Sequence, residues 1–362
     1  MTRYLIGLIA LFVAAPLAAQ TVTSPVALVD SSPDTPGLVL SKMAARVSPP
    51  QPKGTRVWDC GSTSAPFVYA LTESGCPKAQ AATSMTIDAP RVTAAAKDFG
   101  SSGQIGYGDN SNVRAIRAMD AFPLRTNSSG KSIRDVIVDR ARMLVTPEKS
   151  AALTINDVTI ERVEANVTKR GIYVRGDSAR WDIGHFRLAY VGATDDNNYP
   201  MGIQMNGTAH AINIHDGHIS GFWSTKPDGY PNADGIVCER GNYDITIRRV
   251  TIEGSTDGAV DCKATGLRLD QVTAIDTGKR SFRFWGEATA GTLTSINQGW
   301  AHIWADAKGR ITVEKLIAVG GGTLVDATTG ASVAIKSCDL SKWSGATRVK
   351  GGGSVTLGEG CK

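Results

Sequence analysis

Residues 232–286 read NADGIVCERGNYDITIRRVTIEGSTDGAVDCKATGLRLDQVTAIDTGKRSFRFWG. Inside this stretch, YDITIRRVTIEG (243–254) and TGLRLDQVTAID (265–276) share one phrase: apolar, polar, apolar, two polar, apolar. Alternation with period two puts every second side chain on one face of a strand, and the doubled polar position breaks the strand into a bend. The phrase recurs as LTINDVTIERV, HAINIHDGHIS, GRITVEKLIAVG and ASVAIKSCDLSKW. Between these segments lie short strands: GIYVRG, GIQMNG, GIVCERG, AVDCKA, SFRFWG and AHIWAD.

Equivalent positions of the short strands are 33 residues apart (Ile203 to Ile236), then 24 (Ile236 to Val260), then 22 (Val260 to Phe282). Repeats of that length with β content and no helical period predict a solenoid: an all-β, right-handed parallel β-helix of single coils. A β-sandwich also has many short strands, but it needs hairpin signals and no repeated two-strand phrase. Stacking the short strands predicts two inward columns, Ile172, Ile203, Ile236, Val260, Phe282 and Val174, Met205, Cys238, Cys262, Phe284, Ile303. The outward columns are Tyr173, Gln204, Val237, Asp261, Arg283, His302 and Arg175, Asn206, Glu239, Lys263, Trp285, Trp304.

Four segments are expected. Residues 1–19 have a basic Arg3, an apolar run and small residues at Ala18 and Ala19, the pattern of a cleavable signal peptide and hence of a secreted or periplasmic protein. Residues 20–54, rich in Pro and Ser, read as a flexible leader. Residues 55–130 read as a cap region, with a short helix suggested by Ser111, Val113, Ile116 and Met119, and residues 131–362 as the β-helix. No second long apolar run predicts a membrane span, and without Arg3 the formal charge falls from +5 to 38 − 34 = +4. Scattered basic residues argue against nucleic acid as partner. The even cysteine count suits an oxidising compartment, and neighbours in sequence suggest the pairs 60/76, 238/262 and 338/361. Of these, 238/262 reads equally as two stacked thiols, because parallel in-register Cβ vectors suit a disulfide poorly.

Acid, base and aromatic groups converge on the outward face. Asp234 and Asp257 each precede a Gly at the entry to a strand, which is also an ordinary turn device in which the Gly supplies a positive φ. The insertions 192–200 and 221–233 lead into the same strands and bring Tyr199, Trp223 and Tyr230 to wall a groove.

The order ADGI, STDGAVD, SFRFWG resembles the family-nine pectate lyases over about 55 residues. That resemblance implies a calcium site at Asp234, Asp257 and Asp261, with Arg283 where the family places its catalytic lysine and Lys263 and Lys279 in reserve. Thr256 stands in place of the first Asp of the family's pair, and Asp261 falls one residue late. The implied activity is calcium-assisted β-elimination on a uronate-containing, acidic polysaccharide by a monomer, with Trp285, Trp304, Glu239, His302, Trp223 and Tyr230 as substrate contacts. Glu239 with Lys263 reads equally as a surface ion-pair ladder. A competing resemblance, to polygalacturonase-type hydrolases, rests on the same NADG and Asp-rich segments, but the Gly-His-Gly and Arg-x-Lys segments are absent where DTGKRSFRFWG stands. A non-catalytic carbohydrate-binding β-helix is the third reading.

Overall fold

A computed structural model describes residues 117–124, 128–147, 153–192, 199–225 and 230–362. The expected signal peptide, the leader, the Cys60/Cys76 pair and the Ser111–Ile116 part of the expected helix lie outside these residues; from Arg117 onward the chain is strand. In chain order the strands are β1 (Arg117–Leu124), β2 (Ser132–Pro147), β3 (Asn156–Val174), β4 (Ala179–Tyr190), β5 (Met201–Met205), β6 (His210–Phe222), β7 (Asp234–Cys238), β8 (Tyr243–Ser255), β9 (Gly258–Cys262), β10 (Thr265–Thr277), β11 (Arg280–Phe284), β12 (Glu287–Ile296), β13 (Ala301–Ala305), β14 (Arg310–Gly320), β15 (Thr323–Ala327), β16 (Ser332–Trp343), β17 (Val349–Lys350) and β18 (Ser354–Glu359).

Every pairing among them is parallel and joins one coil to the next. The long strands stack as β3–β4–β6–β8–β10–β12–β14–β16–β18. The short strands stack as β5–β7–β9–β11–β13–β15–β17, joined at one end to the last residues of β3. The architecture is the parallel β-solenoid that the repeated phrase predicts. No helix among the described residues is long and apolar enough to cross a membrane.

Two aliphatic ladders fill the coil. Ile160, Ile183, Ile214, Ile247 and Leu269 face Ile172, Ile203, Ile236, Val260, Phe282 and Ile303, all buried. Each such side chain withdrawn from water stabilises the fold by about 1.5–3 kcal/mol before the entropy of ordering is subtracted. The doubled polar position marks the bend in each long strand. Its second residue adopts left-handed backbone in coil after coil, at Arg162, His185, Asp216, Arg249 and Gln271, with φ from 47 to 52°.

Three expectations need correction. Ile303 is level with Phe282, and Ala305 with Phe284, so Trp304 lies beside Arg283 and His302 falls one step earlier. Cys238 and Cys262 are in register, 4.4 Å apart at Cα, and form a disulfide, as do Cys338 and Cys361; Cys238/Cys262 is not a pair of stacked thiols. Adjacent coils bring the two Cα atoms within the range a disulfide spans. Finally, neither Gly235 nor Gly258 has a positive φ. Gly235 is required for room, because a Cβ there would lie 2.3 Å from Ile252 Cγ2 and 2.6 Å from the Ala259 carbonyl oxygen.

Candidate functional site

The short strands β7, β9 and β11 hold the acid cluster. Asp234 opens β7 and is level with Gly258 and Arg280, whereas Asp257 comes from the residue before β9. The two Asp-Gly steps are therefore offset by one position. Asp261 is level with Arg283, and the next residue of that column is Trp304. Asp257, Asp261 and Arg283 have the outward parity of their strands and Asp234 the parity of Ile236, and all are enclosed: Asp234, Asp257 and Asp261 are at most 5% exposed and Arg283 is 8% exposed.

Arg283 ties the cluster together. Its Nη1 donates to Asp257 Oδ2 and forms an ion pair with Asp261 Oδ2 at 2.9 Å. Lys279 Nζ lies 3.3 Å from Asp257 Oδ1, the Tyr230 hydroxyl donates to the same oxygen at 2.5 Å, and Trp285 Nε1 donates to Asp261 Oδ1 at 2.6 Å. Asp234 has no such partner: both of its carboxylate oxygens are buried and unbonded, as are Arg283 Nε and Gln204 Oε1. Glycine at 258 keeps the middle of the cluster open, since a Cβ there would come within 3.1 Å of Asp234 Oδ1 and 3.2 Å of Arg283 Cδ.

The charges follow from this arrangement. Burial, reinforced by Asp261 and Asp257, pushes the Asp234 carboxyl well above the ordinary aspartate range. Burial also raises Asp261, against the pull of Arg283 and Lys263. Burial works against the charged guanidinium of Arg283, but Asp261, Asp257 and Asp234 outweigh it, so the group stays cationic. Lys279 is shifted the other way, downward by burial and by its neighbours Arg283 and Arg280, against the influence of Asp257. Burial and the Asp257 hydrogen bond push the Tyr230 hydroxyl up to about 12.

Aromatic rings surround these groups. Lys279 Nζ sits 3.3 Å from the centre of the Tyr230 ring, and Arg280 lies 4.7 Å from that of Trp300. Tyr230 and Trp300 are each 52% exposed, an apolar surface beside a cationic one. Trp285 and Trp304 meet edge to face at 4.8 Å, each with Arg283 5.6 Å away.

Of the residues expected from sequence, the structure brings together Asp234, Asp257, Asp261, Arg283, Lys279, Tyr230, Trp285 and Trp304. Lys263 bonds Glu239 at 2.6 Å as a ladder pair along the same face. His302 is enclosed, bonded through Nδ1 to Ser295 Oγ at 2.7 Å, with its pKa pushed down to about 4 by burial. Trp223 lies over Gly254, whose added Cβ would come within 2.8 Å of the indole nitrogen. Sequence reading missed Arg280 and Trp300. Arg280 is recoverable from the ladder, because it is level with Asp234; exposed Trp300 carries no local signal.

The donor set suits a hard cation such as calcium. Asp234, Asp257 and Asp261 each offer an oxygen, all within 4.8 Å of one another, and the unbonded Asp234 carboxylate lacks the partner that its burial calls for. Arg283 takes one oxygen from each of the other two, so an ion would be held chiefly by Asp234 and by the remaining lone pairs of Asp257 and Asp261. The coil-by-coil stacking of parallel strands places the chain in the structural class of parallel β-helices. No family model, curated protein or solved structure matches it.

Proposed function

We propose that this chain is a polysaccharide lyase that cleaves a uronate-containing polysaccharide by β-elimination, with calcium bound at Asp234, Asp257 and Asp261. The observation that carries this reading is Lys279, an amine whose pKa is lowered by burial beside Arg280 and Arg283, at the edge of a buried acid cluster. Elimination needs a base that is uncharged when it takes the hydrogen α to the uronate carboxylate. The C–H bond breaks, a carbon–carbon double bond forms, and the glycosidic oxygen leaves and picks up a proton.

Among the three expected bases, Lys279 suits this role best. Arg283 is held charged by two carboxylates, and Lys263 lies 2.6 Å from Glu239, closer than the 3.3 Å between Lys279 and Asp257. Arg283 instead supplies a fixed positive charge beside the aspartates, where negative charge develops on the substrate. Asp234, Asp257 and Asp261 would hold the calcium, and its positive charge would neutralise the substrate carboxylate and make the neighbouring hydrogen more acidic. Tyr230 and Trp300 provide faces on which sugar rings stack. Two disulfides are compatible with action outside the cytoplasm.

A second reading is favoured by one observation. Burial beside Asp257 and Asp261 raises the pKa of Asp234, and a carboxyl of raised pKa next to other carboxylates is what a glycoside hydrolase requires. Incubation with polygalacturonate, alginate and other uronate polymers, with calcium or with chelator, tests the proposal. Unsaturated uronate ends that disappear with chelator are expected. Absence of an unsaturated product from every uronate polymer overturns the lyase reading.

A further inference from the structure

The bends of the long strands carry a second constellation, away from the acid cluster and independent of the function proposed for it. His215 and Asp216 occupy the doubled polar position of β6, and Gly184 and His185 occupy it in β4. Glu161 and Arg162 hold it in β3. In a plain charge ladder each residue pairs with an opposite charge one coil away. Here the pattern is interrupted by Gly184, level with Glu161 on one side and His215 on the other.

The missing side chain is what lets these groups meet. A Cβ at Gly184 would lie 2.4 Å from His215 Cε1, 2.7 Å from His215 Nε2 and 2.8 Å from Glu161 Oε2. The imidazole of β6 therefore fills the gap and reaches toward a carboxylate two coils away. Alongside it, the His185 ring meets the His215 ring edge to face, with centres 5.8 Å apart.

Both imidazoles are backed by carboxylates. His185 Nδ1 is 2.7 Å from Glu161 Oε1, and His215 Nδ1 is 2.8 Å from Asp216 Oδ2. Glu161 on Nδ1 of His185 leaves that ring's Nε2 to an ion, and Asp182 on Nε2 of His215 leaves Nδ1, the nitrogen beside Asp216, the carboxylate-backed arrangement that accompanies metal-ligating histidines. His215 Nε2 faces Asp182 Oδ1 at 3.2 Å, and Asp182 is itself oriented by Asn213 at 2.6 Å. Asp216 is clamped by Arg249 through two bonds of 2.5 and 2.7 Å. Three carboxylates thus surround two imidazoles, opposed by Arg249 and by Arg162, 3.5 Å from Glu161.

We infer that His185, His215 and Asp216 form a binding site for a divalent transition-metal ion such as Zn²⁺. One ligand atom from each lies within 4.8 Å of the others. A tetrahedral site with bonds of about 2.0–2.2 Å holds its ligands roughly 3.4 Å apart, so side-chain rotations of about 1 Å complete it. Imidazole nitrogen with a single carboxylate selects this ion class over calcium, which takes oxygen ligands.

The test is calorimetric titration of the oxidised full-length protein with Zn²⁺, repeated on the His185→Gln/His215→Gln double variant and on Gly184→Ala. About one ion per chain is expected for the wild type, with at least a 100-fold loss of affinity in both variants. Diethyl pyrocarbonate labelling of the unmutated protein gives an answer that does not depend on variant folding. Zn²⁺ is expected to shield His185 and His215 while leaving His210 reactive. No binding by the wild type, undiminished binding by the double variant, or equal labelling with and without Zn²⁺ overturns the site.

Discussion

Gly235 links the fold to the acid cluster, and Gly235→Ala should be costly for a reason that does not involve φ. The new methyl would lie 2.3 Å from Ile252 Cγ2 and 2.6 Å from the Ala259 carbonyl oxygen, where carbon contacts normally settle at about 3.5–4.0 Å. Ile252 is 1% exposed and has no solvent to move into, and the oxygen belongs to the next strand of the ladder. Overpacking of this kind costs about 1–3 kcal/mol, and the backbone partner puts Gly235→Ala near 3. Ile252→Ala removes the Cγ2 contact and by itself costs about 2–5 kcal/mol as a cavity. In that background the increment for Gly235→Ala should shrink by about 1–2 kcal/mol, a coupling of the size seen between touching residues. Urea unfolding followed by both fluorescence and circular dichroism gives the four free energies, provided the two probes coincide. An increment unchanged by Ile252→Ala, or a Gly235→Ala cost below about 0.5 kcal/mol, refutes the packing argument.

Three further outcomes are expected. Lys279→Met should lower kcat on a uronate polymer by about 10²–10⁴-fold, the contribution of a general base, with a smaller change in KM; steady-state kinetics decides. Asp234 carries a raised pKa in the folded protein, so the native state binds more protons than the unfolded one, and metal-free stability falls as pH rises from the ordinary aspartate value through the folded one. Asp234→Asn should therefore raise the metal-free Tm at neutral pH, by about 2–4 °C per kcal/mol gained, and the gain should vanish in acid where both side chains are neutral. Paired Cys238→Ala and Cys262→Ala should cost about 3 kcal/mol, the loop-closure value for a crosslink across 24 residues, measured by the same unfolding titration.

The solenoid was legible because strand parity is written into every coil. Parity survives a slip of two residues, however, and that is where the column reading failed: Ile303 and Ala305 both face inward, so nothing local distinguishes pairing Ile303 with Phe284 from pairing it with Phe282. The same ambiguity put His302, in place of Trp304, beside Arg283. Asp234, Asp257, Asp261 and Arg283 were found because the short strands that carry them were aligned correctly by Ile236, Val260 and Phe282. What those side chains bond to was not legible. Arg283 bridging two acids, Asp234 left without a partner, and Lys279 against the Tyr230 ring depend on three-dimensional side-chain placement and on an insertion whose path no periodicity governs. The two glycines looked like turn devices because Asp-Gly usually is one. Here crowding by Ile252 and by the acid cluster sets the requirement.

The most direct test of the acid cluster's chemistry is cleavage of a uronate polymer in H₂¹⁸O, with the products weighed by mass spectrometry. Elimination adds no water, so the account predicts fragments whose masses sum to that of the parent chain, one carrying a double bond and neither carrying ¹⁸O from the cleavage. One ¹⁸O per broken glycosidic bond, with saturated ends, would contradict it and make Asp234 the acid of a hydrolase.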